Sequence, residues 1–219
     1  MTFDPTHYQI RRMQVDDFGA ITELCRRVYP HDEPYSAGEL SEHHAVYPQG
    51  QYVCEHSPSA SVVGVHFTLR LTMTDFHPDD PWDVLTAKGT FADHNPQGHT
   101  LYGADVFVSP DHQHHSLAHA LTDVTRALVV AECLWRMVGG SRLPGYGAVA
   151  AVMSPEDYVA EVVAGKRSDS VLSVHLKDGW MAVRPICGYM QDDPASANCA
   201  ALIQWVNPVC PPPAEFALR

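Results

Sequence analysis

Thr100-Leu101-Tyr102-Gly103-Ala104-Asp105-Val106-Phe107-Val108-Ser109-Pro110, followed by Asp111-His112-Gln113-His114-His115-Ser116-Leu117-Ala118, is the stretch that decides the fold. Residues 101–108 are rich in β-branched and aromatic side chains and stop at Ser109-Pro110, so they predict a strand. Beyond the loop, Leu117, Leu121, Val124, Leu128 and Ala131 recur at spacings of four and three, while His119, Asp123, Arg126 and Glu132 mostly take other faces. That spacing predicts an amphipathic helix, with Ser116 as a suitable N-cap. A strand that hands the chain to a helix start leaves unpaired N–H groups and a positive dipole end, which together suit a phosphate.

The same residues resemble the GNAT superfamily of acyl-CoA-dependent N-acyltransferases. There a strand ending in Val-x-Pro leads to Arg/Gln-x-x-Gly-x-Gly/Ala at a helix start. Val108-Ser109-Pro110 and Gln113-His114-His115-Ser116-Leu117-Ala118 follow that pattern, except that Ser116 stands at its central Gly. Four later segments are similar to the GNAT domain that precedes a carbon-nitrogen hydrolase domain in some bacterial fusion proteins. They are Arg142-Leu143-Pro144-Gly145-Tyr146, Asp169-x-Val171-Leu172-x-x-His175, Asp192-Asp193-Pro194-x-Ser196 and Trp205-x-Asn207-Pro208. The similarity covers residues 8–208.

The resemblance implies an α/β (α+β) fold, a mixed, mostly antiparallel sheet flanked by helices in a single domain, with acetyl-CoA as acyl donor. It implies that Val106, Phe107 and Val108 pair through their backbone with the pantetheine arm. The amides of His114, His115, Ser116, Leu117 and Ala118, beside Gln113, would hold the diphosphate. The expected reaction moves an acetyl group to a primary amine of a small molecule or peptide. The alternative is a CoA-binding regulatory or scaffold module without turnover, suggested by Ser116 in place of Gly. Amine attack needs a proton acceptor, for which Asp105 and Tyr102 lie on the central strand; Asp105 is favoured. Strand alternation sets those two on opposite faces unless a bulge intervenes. His175 stands where family members carry the Tyr that protonates the CoA thiolate, and imidazole titrates close to neutrality. Tyr146 and Tyr158 are substitutes for that role, each with a structural reading beside it.

The chain has 219 residues, enough for one well-cored domain. The expected division is a tail at 1–7, the domain at 8–208 and a Pro-rich tail at 209–219. Fourteen basic against 26 acidic residues give a formal charge of −12, which argues against nucleic acid or an anionic membrane as partner. Six cysteines without a Cys-x-x-Cys pair predict reduced, buried thiols. No apolar run approaches the roughly 20 residues that span a bilayer, and residues 1–12 lack a signal core, so a cytoplasmic protein is expected. The sequence does not read out the oligomeric state, and a homodimer is left open. His115 and His119, four apart with His112 or His114 nearby, offer metal-ligand spacing. Too few carboxylates flank them for a closed ligand set, so no metal is expected and the histidines read as solvated groups around an anion-binding loop.

Elsewhere the patterns predict a first strand over residues 8–14 and a helix ending before Pro30. Ser36 and Glu39 form a capping box, and an antiparallel hairpin runs over 51–56 and 61–72. Residues 73–99 read as an irregular segment bordering the acceptor site, with Trp82 or Phe91 as an apolar wall. A short strand over 135–138 runs into a Gly-rich loop over 139–147. Ser154-Pro155-Glu156-Asp157 starts a helix, another covers 169–177, and last strands cover 180–190 and 198–207.

Overall fold

The computed structural model describes residues 3–72, 77, 80–214 and 216. Seven strands, β1 (Tyr8–Arg12), β2 (Gln51–His56), β3 (Ser61–Leu71), β4 (Thr100–Val108), β5 (Arg136–Arg142), β6 (Met181–Cys187) and β7 (Cys199–Val206), form one sheet. Their order is β1-β2-β3-β4-β5-β7-β6. Among the described residues only β4 and β5 run parallel, and every other neighbouring pair is antiparallel. The expected mixed, mostly antiparallel sheet in a single domain is therefore present.

Each face of the sheet buries its own core. On one face lie α1 (Phe18–Val28) and α2 (Ala37–Val46), with the one-turn helix α3 (Trp82–Leu85) packed on the same core. Ile21, Leu24 and Cys25 recur along one side of α1 and meet Val65, Phe67 and Leu69 of β3 and Phe107 of β4. On the other face lie α4 (Leu117–Ala131), α5 (Pro155–Val163) and α6 (Leu172–Lys177). Leu117, Leu121 and Leu128 of α4 pack there on Leu101, Val108 and Met137. The apolar stripe read from the sequence misses Thr122 and Thr125, which are buried because each hydroxyl donates back to a carbonyl of its own helix, Ala118 O and Thr122 O. Ala131, at the end of α4, is exposed.

The predicted caps are in place. Ser36 Oγ accepts from the Glu39 amide at 3.2 Å while Glu39 accepts from the Ser36 amide at 2.8 Å. Ser154 Oγ accepts from the Asp157 amide at 3.1 Å. The segments that narrowed the resemblance are pins between loops. Asp169 accepts from the amides of Val171 and Leu172 at 2.9 Å, from the Gly145 amide at 3.1 Å and from the Tyr158 hydroxyl at 2.8 Å. Arg142 grips Asp193 with two bonds of 2.8 Å, and Asn207 donates to Leu134 O at 2.8 Å. Replacing buried Asp169 with Ala strands three amides and a phenol at once. Asp169→Ala is expected to cost about 3 kcal/mol of stability, read by urea denaturation.

Four expectations are corrected. The Gly-rich segment is not all loop: Gly139, Gly140, Ser141 and Arg142 continue β5, because β7 pairs with them along their whole length. The first strand stops at Arg12. The cysteines are not all reduced and buried. Cys187 and Cys199 face each other in register on β6 and β7 and form a disulfide, Cys133 is exposed, and only Cys25 and Cys54 are buried free thiols. Ser116 has the N-cap position of α4 but no side-chain cap; its φ of 56° is left-handed, and a 3-10 turn over Pro110–His115 precedes it. That conformation favours Gly, which gives a physical reason for the glycine of the family pattern at this place.

The segment over 73–99 divides. Residues 73–76, 78 and 79 lie outside the described residues. Phe91 is fully buried and stacked on His43 at 3.8 Å, so it belongs to the core. Trp82 lines the cavity described next.

Candidate active site

β4 and β5 pair only from Thr100↔Arg136 to Gly103↔Gly139. Beyond Gly103 the β5-facing edge of β4 has no strand partner among the described residues, and a cavity of about 560 Å³ opens between the parted strands. It reaches both faces of the sheet. Asp105, Tyr29, Tyr35, Trp82 and Tyr189 line it on the α1–α2 side, and His66, Thr122, His175 and Trp180 on the α4 side.

The bulge that strand alternation required is present on β4. Phe67 pairs with Asp105 and Thr68 with Gly103, so Ala104 is an inserted residue. The insertion turns Asp105 towards the face that carries Tyr102 and Phe107. Trp82 Nε1 donates to the carbonyl of the inserted Ala104 at 2.8 Å and holds the bulge. The Asp105 carboxylate accepts from the hydroxyls of Tyr29 and Tyr35, both at 3.2 Å. Burial pushes its pKa up to about 6, against the pull of Tyr35, Tyr29 and Arg142. A carboxylate at that value changes protonation state close to neutrality, as a general base does best.

The other two expected catalytic residues sit in different surroundings. Tyr102 is buried with its hydroxyl 2.5 Å from that of Tyr189. Burial, reinforced by Tyr189, raises its phenol well above the ordinary range, so Tyr102 is a neutral donor and not a proton acceptor. His175 lines the cavity from α6, with Nδ1 2.9 Å from Ser141 Oγ. Burial first, then the Arg126 charge, pushes its pKa down to about 4. The imidazole is therefore largely neutral at pH 7 and carries a single N–H. Tyr146 donates to Met153 O and Tyr158 to Asp169, both structural.

Of the expected cofactor-binding residues, Val106 lines the cavity, whereas Phe107, Val108 and Gln113–Ala118 lie outside its lining. Leu117 and Ala118 stand about one turn before Thr122 on α4. Gln113 and His114 are exposed. His115 and His112 turn towards Tyr8 of β1, His112 Nδ1 lying 2.9 Å from its hydroxyl. His119 pairs instead with Asp178 and Asp123. Among the described residues no three His, Cys, Asp or Glu are grouped to hold a metal. No helix among them is long and apolar enough to cross a membrane.

Sequence reasoning missed Tyr29, Tyr35, His66, Thr122 and Tyr189. Tyr29 and Tyr35 flank Pro30 and Pro34 at the end of α1, where the helical pattern stops and carries no signal. Tyr189 lies between Gly188, whose φ is +74°, and the acidic Asp192-Asp193 pair.

No family model matches the chain. Among curated proteins it is 30% identical over 202 residues to YkwB of Bacillus subtilis (strain 168), named an uncharacterized N-acetyltransferase, covering 90% of this chain and 88% of that one. It is 29% identical over 198 residues to a probable hydrolase, YhcX, of the same organism. This chain spans only 38% of YhcX's length, as a likeness to one domain of a larger protein requires. Among solved structures, the GNAT-like decarboxylase GphF in complex with isobutyryl-CoA superposes with a TM-score of 0.73 at 22% identity, over 91% of this chain and 99% of that one. The loading GNAT-like domain of CurA from Lyngbya majuscula gives 0.76 at 15% identity, over 92% and 98%. None of these relatives favours a module without turnover. With the motif at the head of α4, the parted strands beside it and a 30% identical N-acetyltransferase relative, the chain belongs to the GNAT superfamily of acyl-CoA-dependent acyltransferases.

Proposed function

We propose that the protein transfers an acetyl group from acetyl-CoA to a primary amine of a small molecule or peptide. The observation that carries this reading is a carboxylate of raised pKa, Asp105, set by a β-bulge at the point where β4 and β5 separate. The free edge of β4 from Ala104 to Val108 offers N–H and C=O groups to the amides of pantetheine, as an added strand does. The amides of residues 114–118, at the start of a 15-residue helix, suit the diphosphate. Asp32, Glu33 and Asp192 line the mouth on the α1–α2 side, and a cationic amine meets favourable charge there.

The proton ledger fits this order of events. A free alkylammonium, with a pKa of about 10.4, lies roughly four units above Asp105, about 6 kcal/mol uphill. The amine must therefore attack as its neutral minor form, its first proton left with solvent, and Asp105 accepts the next proton once the nitrogen has bonded to the thioester carbon and become acidic. Thiol release from acetyl-CoA with a panel of primary amines tests the reading. Amine-dependent release above the hydrolysis background is expected, and none with any amine contradicts it.

A second reading is decarboxylation of an acyl-CoA that bears a carboxylate. It is supported by His66 and His175, neutral imidazoles pushed down to about 4 by burial, beside Thr122 and the apolar Met137 and Ile203. A carboxylate stripped of water in such surroundings is destabilised. Carbon dioxide release from malonyl-CoA without amine would favour it over N-acetylation.

A further inference from the structure

Neutral His175 carries one N–H, and the nitrogen that bears it decides what the residue can do in the cavity. The ring lines the cavity from α6. Its Nδ1 edge is turned to Ser141 Oγ of β5 at 2.9 Å, and Ser141 lies behind the lining. Nε2 is the nitrogen left to the cavity, and among the described residues it has no hydrogen-bond partner.

Ser141 settles the tautomer. Alternation along β5 brings it to the same face as Met137, where α6 packs. It is 0% exposed, and among the described residues the imidazole is the only partner of its hydroxyl. Were Nδ1 protonated, it would donate to Oγ and leave the serine's own hydrogen buried without an acceptor, which costs more than the bond returns. Ser141 therefore donates, Nδ1 accepts, and in a neutral imidazole the proton then resides on Nε2. Trp180 meets the ring edge-on, with centroids 6.0 Å apart and planes at 75°, and holds its orientation. The nearby charge of Arg126, whose guanidinium is tied to Asp178 O at 2.6 Å, opposes a second proton on the ring.

We propose that His175 donates its Nε2–H to the thioester carbonyl oxygen of the acyl-CoA, with Ser141 as the positioning residue that selects this tautomer. The inference rests on the acetyl-CoA reading above. As the amine nitrogen bonds to the thioester carbon, the carbonyl π electrons move onto oxygen. A fixed N–H aimed at that oxygen binds it more strongly then than in the ground state. The imidazole keeps its proton throughout, as a neutral imidazole that polarises a carbonyl does. The amine's proton passes to Asp105 and on to solvent. The C–S bond breaks as C=O re-forms, and sulfur leaves with the bonding pair and takes a proton from water, so protons and electrons balance.

The tautomer is read directly by ¹⁵N NMR of the protein labelled at histidine, with the His175 signals identified by their loss in His175→Gln. At pH 7 the proton is expected on Nε2; a proton on Nδ1 overturns the proposal. Ser141→Ala is expected to replace the single tautomer by a mixture and to lower kcat about tenfold. Ser141→Thr, which keeps the hydroxyl, is expected to preserve both. Unchanged tautomer and rate in Ser141→Ala overturn the positioning role. His175→Ala should lower kcat about 100-fold, the effect of losing one oxyanion donor, with acetyl-CoA affinity within threefold. His175→Gln supplies an amide N–H at a similar reach and should recover about tenfold of that loss. A His175→Gln protein as slow as His175→Ala overturns the proposal while leaving N-acetylation intact. Absence of amine-dependent thiol release from the unmodified protein overturns both.

Discussion

Asp105→Asn is expected to lower kcat by about 100- to 10,000-fold, the range for losing a positioned general base, while leaving acetyl-CoA affinity within threefold. Asn retains the shape of the carboxylate: its oxygen accepts from one of the two hydroxyls and its amide N–H donates to the oxygen of the other, so the site stays assembled. In the unmodified protein kcat/KM should rise with pH through about 6, as the carboxylic acid becomes a carboxylate able to accept a proton. That limb should vanish from the residual activity of Asp105→Asn. The stability effect has a defined sign. A folded-state pKa above the unfolded value means that the folded form binds the proton more tightly, so stability falls as pH rises from about 4 to 6. Removing the charge relieves that penalty, and Asp105→Asn should be no less stable than the parent at pH 7. An inactive but unfolded variant would not count as support; an active, folded one would return Asp105 to a structural role.

The second large effect concerns the head of α4. Ser116→Glu sets a carboxylate at the start of the helix, where the diphosphate is proposed to lie, and like charges at close range oppose each other. Affinity for acetyl-CoA by calorimetry should weaken at least about 100-fold, or roughly 2.7 kcal/mol. Ser116→Gly is the companion variant. Ser116 has a φ of 56°, which Gly adopts without a steric penalty, so affinity within threefold of the parent is expected. Unchanged affinity in the Glu variant would remove the proposed diphosphate site.

The fold was legible where local rules and tertiary packing agree. Alternating and 3.6-period patterns found β4 and α4, and side-chain chemistry at Ser36 and Ser154 found the starts of α2 and α5. The site was legible only in part, because its geometry is set by pairing between distant segments. The Ala104 bulge exists only in relation to β3, since nothing in Tyr102-Gly103-Ala104-Asp105 reveals that Thr68 pairs with Gly103. Without the bulge, Tyr102 and Asp105 read as lying on opposite faces. Burial is equally invisible: the sequence cannot show how far Trp180 and Ser141 shield His175 from water. The Cys187–Cys199 bridge also depends on register, although two cysteines flanking a connection between predicted strands were a readable hint. Gly139 and Gly140 misled in the other direction. A Gly-rich run reads as a loop because Gly weakens a strand, whereas here the missing Cβ at Gly140 leaves room for Tyr189.

A crystal structure of the protein with acetyl-CoA tests the central claim most directly. The account predicts the diphosphate within hydrogen-bond reach of the amides of residues 114–118, pantetheine along the free edge of β4, and the sulfur between Ala104 and Gly140. A cofactor bound elsewhere, with the gap between β4 and β5 left empty, would contradict it.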